Sequence, residues 1–357
     1  MTSISVVIPC HNRAYDLTRT LKAYDNQIVD EPYELIAIDD ASSDETFEVL
    51  TSYRPEHYSL RIERQEQNLG PAAARNRGIL LSQSPIILFT GDDIVPHPYL
   101  VRGHLAAHRH YQGKENAILG QVIWPEDLPV NTLMTHVDGV GAQQFSYYYF
   151  KDGRQYDYRH LYTANVSLKR EFLHSQEKLF DTDFQYAAFE DVELSYRLAR
   201  NGLRIIYSSY LKGFHYHYHN IWTFSERMYR VGLMANLMIK KHPKTKRIIL
   251  GRKWPLRIAK WKLMAPFHSK SSDRTSRLER QLLHLASSYE WRSHQFLDNL
   301  YLRLLTYFFF KGAIYGLFEE DDRARALNAK CADDFLGPLI IQFRNESNDV
   351  GWRQCDG

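Results

Sequence analysis

The sequence predicts an α/β protein with a Rossmann-like, mostly parallel sheet flanked by helices and a helical C-terminal extension. Three observations predict it. Over residues 1–95, short β-branched runs alternate with segments of helical period, the pattern of strand–helix–strand crossovers. Three of those runs end in polar clusters, "PCHNR", "DDASSD" and "GDD", and a parallel sheet would place all of them along the edge where ligands bind. Beyond residue 236 the composition shifts: from Lys240 to Lys270 there are eleven Lys or Arg and no Asp or Glu, and long helical patterns follow.

Taken in order, "ISVVIP" is a run suited to a strand buried on both faces. "AYDLTRTLKAYDNQ" carries apolar residues at helical spacing. "YELIAIDD" is the second strand, and the next helix opens at "SSDETFEVLTSY" with Ser43 or Asp44 as N-cap. "LRIERQ" is a third strand. "NLGPAAARNRGILLSQ" puts Pro71 in the first turn of a helix, where its missing N–H costs nothing. "PIILFTGDD" is the fourth strand and "AILGQVIW" a later one. Residues 143–163, dense in Tyr and without a period, are expected to be a loop. "AFEDVELSYRLARNG" is a helix closed by Asn201-Gly202, and the strand "LRIIYSS" follows. Residues 1–235 are thus expected to form one domain in two halves, 1–95 and 96–235, with 236–357 as a basic, mainly helical extension.

At 357 residues, 44% hydrophobic and 24% charged, the chain can build a sizeable core, which excludes global disorder. A net charge of only +3 predicts no nucleic-acid partner. Cys10, Cys331 and Cys355 are odd in number and far apart, so a disulfide framework is not expected and a reducing compartment fits best. The start "MTSISVVIPCHNR" has no cationic region before its apolar run and reads as a strand, not a signal peptide. The most apolar stretch, "YLRLLTYFFFKGAIYGLF", is interrupted by Arg303 and Lys311, so no transmembrane helix is expected.

Several residue groups carry chemistry, each with a plainer alternative. Asp92 and Asp93 are adjacent carboxylates whose repulsion a divalent ion would offset; an Asp-Asp turn before "PHPYL" is the alternative. Glu190 and Asp191 open a helix, where a carboxylate can accept a proton or merely cap. His215, His217 and His219 alternate and would share one face of a strand, so that one imidazole could complete a metal shell. Arg75 and Arg77 lie near a helix start, placed for phosphate or base contacts or simply on a solvated face. In "CHNR", His11 could stack on a base and Arg13 could reach a ribose or phosphate.

The order of these pieces resembles family 2 glycosyltransferases of the GT-A fold. The matching blocks are "SVVIPCHNR", "ELIAIDDASSDET", "NLGPAAARNRGI", "ILFTGDDIVPHPYL", "TANVSLKREFL", "FEDVELSYRLARNGLRI" and "HYHNIWTFSERMYRVG", colinear from residue 3 to residue 235. The resemblance implies inverting transfer of a sugar from a nucleotide donor to a hydroxyl acceptor on a glycan, lipid carrier or protein. It implies Pro9, His11, Arg13, Asp39, Asp40, Arg75 and Asp92 in the nucleotide site, with Asp40 on the base edge and Asp92 by the ribose. It implies Asp93 and His217 as ligands of Mn²⁺ or Mg²⁺, Asp191 as general base, Glu190 as an acceptor contact and Asn165 as a donor-sugar or acceptor contact. A carboxylate at Asp40 would suit the N3–H of uracil, which makes a UDP-sugar the preferred donor.

Two departures qualify the resemblance. Gly91 stands where many relatives carry a further Asp, so the metal site is expected to be thinner. The "QxxRW" box of processive synthases is absent, so addition of single sugars is expected. A catalytically inactive nucleotide-binding or scaffold domain is the rival reading. In "KWPLRIAKWKLMAPF" cations interleave with Trp254, Leu256, Ile258, Trp261, Leu263 and Phe267, which suits either a helix in an anionic membrane interface or one packed on the protein. The expected location is the cytoplasm, and the inner membrane face under the first of these two readings.

Overall fold

The structure, a computed structural model, describes residues 2–264, 272–292, 296–318 and 322–339. In chain order the first part comprises β1 (Ile4–Cys10), α1 (Ala14–Asp25), β2 (Glu34–Asp39), α2 (Thr46–Ser52), β3 (Ser59–Arg64), α3 (Pro71–Leu81), β4 (Ile86–Thr90), β5 (Ile94–Pro96), α4 (Leu100–His110) and β6 (Asn116–Ile123). After α5 (Thr132–Asp138) come β7 (Gln155–Tyr156), β8 (Asn165–Lys169), α6 (Arg170–His174), α7 (Glu190–Ala199) and β9 (Arg204–His215). These strands form a nine-stranded sheet in the order β3-β2-β1-β4-β8-β6-β9-β5, with β7 also paired to β9. The pairs β1–β2, β2–β3, β1–β4 and β6–β9 are parallel, whereas β8 runs antiparallel to both β4 and β6. The mostly parallel α/β architecture is as the sequence predicts.

The central strands are apolar runs because helices cover both sheet faces. β4 is buried at every position, and β1 at all but Pro9. β3 lies on the edge, and its exposed Arg61 and Arg64 blunt an unpaired strand. Helix α1 buries Leu17, Leu21 and Tyr24 on one stripe against the core that holds Ile4, Val6 and Ile8. Gly70 precedes α3 with φ +84, and a Cβ there would lie 2.6 Å from the carbonyl oxygen of Gln185, so the close approach requires glycine.

Local details differ from expectation where neighbours decide. Helix α2 begins at Thr46, and Asp44 accepts from the Thr46 amide at 3.0 Å, which satisfies an orphan donor from just outside the helix. The Tyr-rich 143–163 stretch holds two short 3₁₀ turns, Tyr147–Tyr149 and Tyr158–His160, besides β7. Packing sets its shape: Phe150 stacks on Tyr156 at 3.9 Å, and buried Tyr147 stacks on Tyr207 at 5.7 Å. The end of α7 matches expectation, with Gly202 at φ +91 and the Leu203 amide donating back to Leu198.

The chain divides into two compact units, residues 1–130 with 142–218, and residues 131–141 with 219–357. The division falls at 218/219 rather than at 235, because α8 (Ile221–Lys241) continues unbroken through 235 and packs on the later helix Leu297–Phe318. The second unit contains α5, α8, α9 (Lys246–Ile249), α10 (Trp254–Met264), α11 (Ser272–Ser288), α12 (Leu297–Phe318) and α13 (Asp322–Phe335) around one apolar core. In the basic stretch Trp254 is 3% exposed and stacks on Phe310 at 5.1 Å, and Ile258 packs on the same core. Leu256 is exposed, while the side chains of Trp261 and Leu263, and all of Phe267, lie outside the described residues. Among the described residues no helix is long and apolar enough to cross a membrane. Cys10 and Cys331 are buried free thiols; Cys355 lies outside the described residues.

Candidate active site

Parallel strands bring their carboxyl ends to one edge of the sheet, and the polar clusters after β1, β2 and β4 meet there. At its centre Asp93 Oδ2 lies 3.0 Å from His217 Nδ1, 3.5 Å from His215 Nε2 and 3.3 Å from Arg13 Nη2. Arg13 Nε lies 3.7 Å from Asp92 Oδ1, and the His11 amide donates to Asp92 Oδ2 at 3.2 Å. Neighbouring carboxylates are tolerated because cationic and donor groups surround both. Burial alone would push Asp93 up, but His215, His217 and Arg13 outweigh it and hold its carboxyl well below the usual range. Asp92 goes the other way, raised by burial and then by the charge of Asp93. Nδ1 of His217 also lies 2.7 Å from Arg13 Nη2, so a neutral ring accepts from Arg13 and a protonated ring donates to Asp93.

One ligand atom each of Asp93, His215 and His217 lies within 4.8 Å of the others. One carboxylate and two imidazoles suit a divalent transition ion such as Mn²⁺ better than Mg²⁺, which favours all-oxygen shells. β9 ends at His215, so the three alternating histidines do not share a strand face: His215 and His217 reach Asp93, while His219 belongs to the helical unit and packs edge-on to Phe224. Two supports of this cluster carry no sequence signal. Trp124 stacks on the His215 ring at 5.0 Å and 12°, and Gln144 Nε2 lies 3.4 Å from His215 Nδ1, which turns Nε2 toward Asp93.

Three of the expected contact residues are engaged within the protein. Asp40 is 4% exposed, and its oxygens accept from Gln65 Nε2, the Leu69 amide and the Gly70 amide at 2.5, 2.8 and 2.8 Å. Asp39 is fully buried, accepting from the Ser42 amide and paired with Arg64. Both carboxylates hold the loops around the site. Asn165 is also fully buried: its amide donates to the carbonyls of Gln121 and Leu211 at 3.1 and 2.8 Å, and its Oδ1 faces His104 Nε2 at 2.9 Å. It pins the irregularity where residues 209–211 of β9 lack partners on β6, with both of its amide hydrogens engaged there. Arg77 is turned outward onto Glu63.

Other expected residues line the edge. Pro9 ends the half-open side of β1, opposite Ile38 of β2. The exposed His11 ring is fixed by the Asp40 carbonyl at 2.9 Å from Nδ1 and by Asn68 Nδ2 at 3.0 Å from Nε2, leaving its face open for stacking. Arg75 and Glu190 form a buried ion pair at 2.9 Å, so Arg75 is engaged by a carboxylate. Asp191, next in the chain, accepts from the Val192 amide at 2.7 Å. Burial and then the charge of Glu190 raise it to about 7, with Arg75 opposing. Phe189, just before this pair, has φ +67, and the turn it makes launches α7 with both carboxylates in its first turn. A carboxyl near 7 is poised to take a proton from a hydroxyl.

Residues 5–173 match the model of Glycosyl transferase family 2. The validoxylamine A glucosyltransferase of Streptomyces hygroscopicus subsp. jinggangensis is 35% identical over 106 residues, 29% of this chain and 25% of that protein. The chain spans between about a quarter and a third of the length of such curated relatives. Among solved structures, the mannosyltransferase PcManGT of Pyrobaculum calidifontis, in complex with GDP-Man and Mn²⁺, superposes with a TM-score of 0.56 at 15% identity, over 89% of this chain and 88% of that one. Residues 1–349 of S. aureus TarS give a TM-score of 0.52 at 16% identity, over 98% and 92% of the two chains. The matched segment and the shared fold agree: residues 5–173 match the family 2 glycosyltransferase model, on a sheet whose architecture is that of these solved glycosyltransferases.

Proposed function

We propose that the protein transfers a single sugar from a nucleotide-sugar to a hydroxyl acceptor with inversion, in the synthesis of a cell-surface glycan or glycoconjugate. The observation that carries this reading is the presence, in one unit, of the Asp93–His215–His217 cluster and of Asp191 raised to about 7. Asp93, His215 and His217 would hold a divalent ion, whose chemistry is Lewis-acid stabilisation of a departing nucleoside diphosphate. Arg13, between Asp92 and Asp93, adds a fixed positive charge for the same phosphates. Asp191 takes the proton of the acceptor hydroxyl as its oxygen bonds the anomeric carbon and the bond to the diphosphate breaks on the opposite face.

The preference for a UDP-sugar rested on a free Asp40 carboxylate, which the loop donors occupy; UDP therefore enters the proposal as one donor among several. Peripheral contact with the anionic inner face of a membrane belongs to the same proposal, supported by exposed Arg252, Lys253 and Leu256, while Lys260 pairs with Asp334 at 2.7 Å. The inward packing of Trp254 removes the strongest anchor from it.

A thermal-shift panel of UDP-, GDP-, dTDP- and CMP-sugars with Mn²⁺ or Mg²⁺ tests the donor site, since a ligand at 100 times its Kd stabilises by about 2.7 kcal/mol. Asp191→Asn then separates catalysis from binding. It is expected to keep the donor shift and lose transfer by ~10²–10⁴-fold. Donor binding with no transfer by wild type to any acceptor would mark an inactive, nucleotide-binding domain instead.

A further inference from the structure

We infer that the buried Arg75–Glu190 ion pair is a charge regulator for Asp191, with Arg75 a positioning residue of the base rather than a contact of the nucleotide. The inference rests on the reading of Asp191 as the base and assigns a role to the pair beside it. Arg75 leaves α3 and meets Glu190 at 2.9 Å, the two side chains being 8% and 3% exposed. The arrangement is incomplete as a structural bridge. Only one of the possible parallel bonds is made, and Arg75 Nε and Glu190 Oε2 are buried without a partner. A buried ion pair seldom stabilises a fold beyond what apolar residues of the same size would give. Its place supplies another reason: Glu190 is the covalent neighbour of Asp191, and both begin α7 after the left-handed Phe189.

The charges around Asp191 are mostly compensated elsewhere. On its own helix Glu193 is tied to Arg197. On the segment packed against α7, Asp157 is bound to Arg159, and His160 and Tyr162 hydrogen-bond each other. In the 178–183 stretch Lys178 pairs with Asp181. Besides burial, Glu190 and Arg75 act on Asp191 with opposite signs, Glu190 as its covalent neighbour raising it and Arg75 opposing. Removal of the Glu190 charge should ease ionisation of Asp191, and removal of the Arg75 charge should hinder it.

The test is a cycle of Glu190→Gln, Arg75→Gln and the double variant, each checked for fold by circular dichroism. Two readouts are needed: the acidic limb of kcat/KM against pH, and titration of the Asp191 carboxyl by ¹³C NMR of aspartate-labelled protein, which needs no turnover. Glu190→Gln is expected to move the Asp191 midpoint down and Arg75→Gln to move it up, each by about one pH unit, with the double variant returning near wild type. A purely structural pair would lower kcat or stability without moving the midpoint, and that result would overturn the inference. If Arg75→Gln does not fold, the shift in Glu190→Gln and its reversal in the double variant still decide. Near-normal transfer by Asp191→Asn with the NMR shifts intact would instead remove the base reading and leave the electrostatic one standing.

Discussion

Replacement of Asn165 by alanine separates a structural role from a substrate contact. The change removes an amide that donates to Gln121 O and Leu211 O and accepts from His104 Nε2, all in the interior. The proton positions follow from the partners. Because both amide hydrogens go to carbonyls, Oδ1 is the acceptor and His104 Nε2 carries the hydrogen; His104 Nδ1 then accepts from Ser167 Oγ at 2.7 Å, and Ser167 accepts from His108 Nε2 at 2.9 Å. Burial lowers His104 to about 4 and His108 to about 3, so both rings stay neutral and the chain of hydrogen bonds keeps one direction. Alanine leaves three buried polar groups unpaired, each costing ~1–3 kcal/mol, and the shared site makes the total less than the sum, roughly 3–5 kcal/mol. Gly120, on the β6 side, has no side chain to fill the space, and a Cβ there would lie 2.4 Å from the Leu211 carbonyl oxygen. Differential scanning calorimetry should show the sheet-containing unit melting ~6–20 °C lower. The folded variant, assayed well below that temperature, should keep its donor affinity. A melting temperature close to wild type with a raised KM for donor or acceptor would refute the reasoning and return Asn165 to the substrate.

Three further outcomes are expected. Asp93→Ala should abolish Mn²⁺ binding measured by calorimetry and, with it, transfer, whereas Gln144→Ala should weaken Mn²⁺ roughly 10–100-fold by loosening His215; full activity in EDTA would contradict both. The rate should depend on ionised Asp191: its value of about 7 lies above that of an ordinary carboxyl, so kcat/KM should fall about tenfold per pH unit below that point and level off above it, and a limb near pH 4 would exclude this assignment. Flotation with vesicles should show binding that needs anionic lipid, weakens with salt and drops when Arg252, Lys253 and Lys260 are replaced together, and equal binding to neutral vesicles would reject the electrostatic contact.

Much of this molecule is legible in one dimension because its determinants are local. Buried runs such as "ISVVIP" and "IILFT", a proline at the first helical turn and Gly202 past the end of α7 act over a few residues, and strand–helix alternation leaves few topologies open. The same alternation sends the ends of β1, β2 and β4 to one edge, which is why His11, Arg13, Asp92 and Asp93 can be grouped from the sequence. What each side chain does there depends on partners far away in sequence. Asp40 and Asp93 are both acidic residues after parallel strands, yet one is closed off by the 65–70 loop and the other opens onto His215 and His217, more than a hundred residues on. Likewise Asn165 and Arg75 read as polar residues beside a site, and only the bulge in β9 and the start of α7 show that one pins the sheet and the other meets Glu190. The histidine alternation promised one strand face; β9 stops at His215 and the next residues leave the sheet, which puts His219 with the helices. Residue type and spacing determine which chemistry a site can hold; the tertiary fold decides which carboxylates remain free to perform it, because a buried polar atom takes the nearest donor the packing offers.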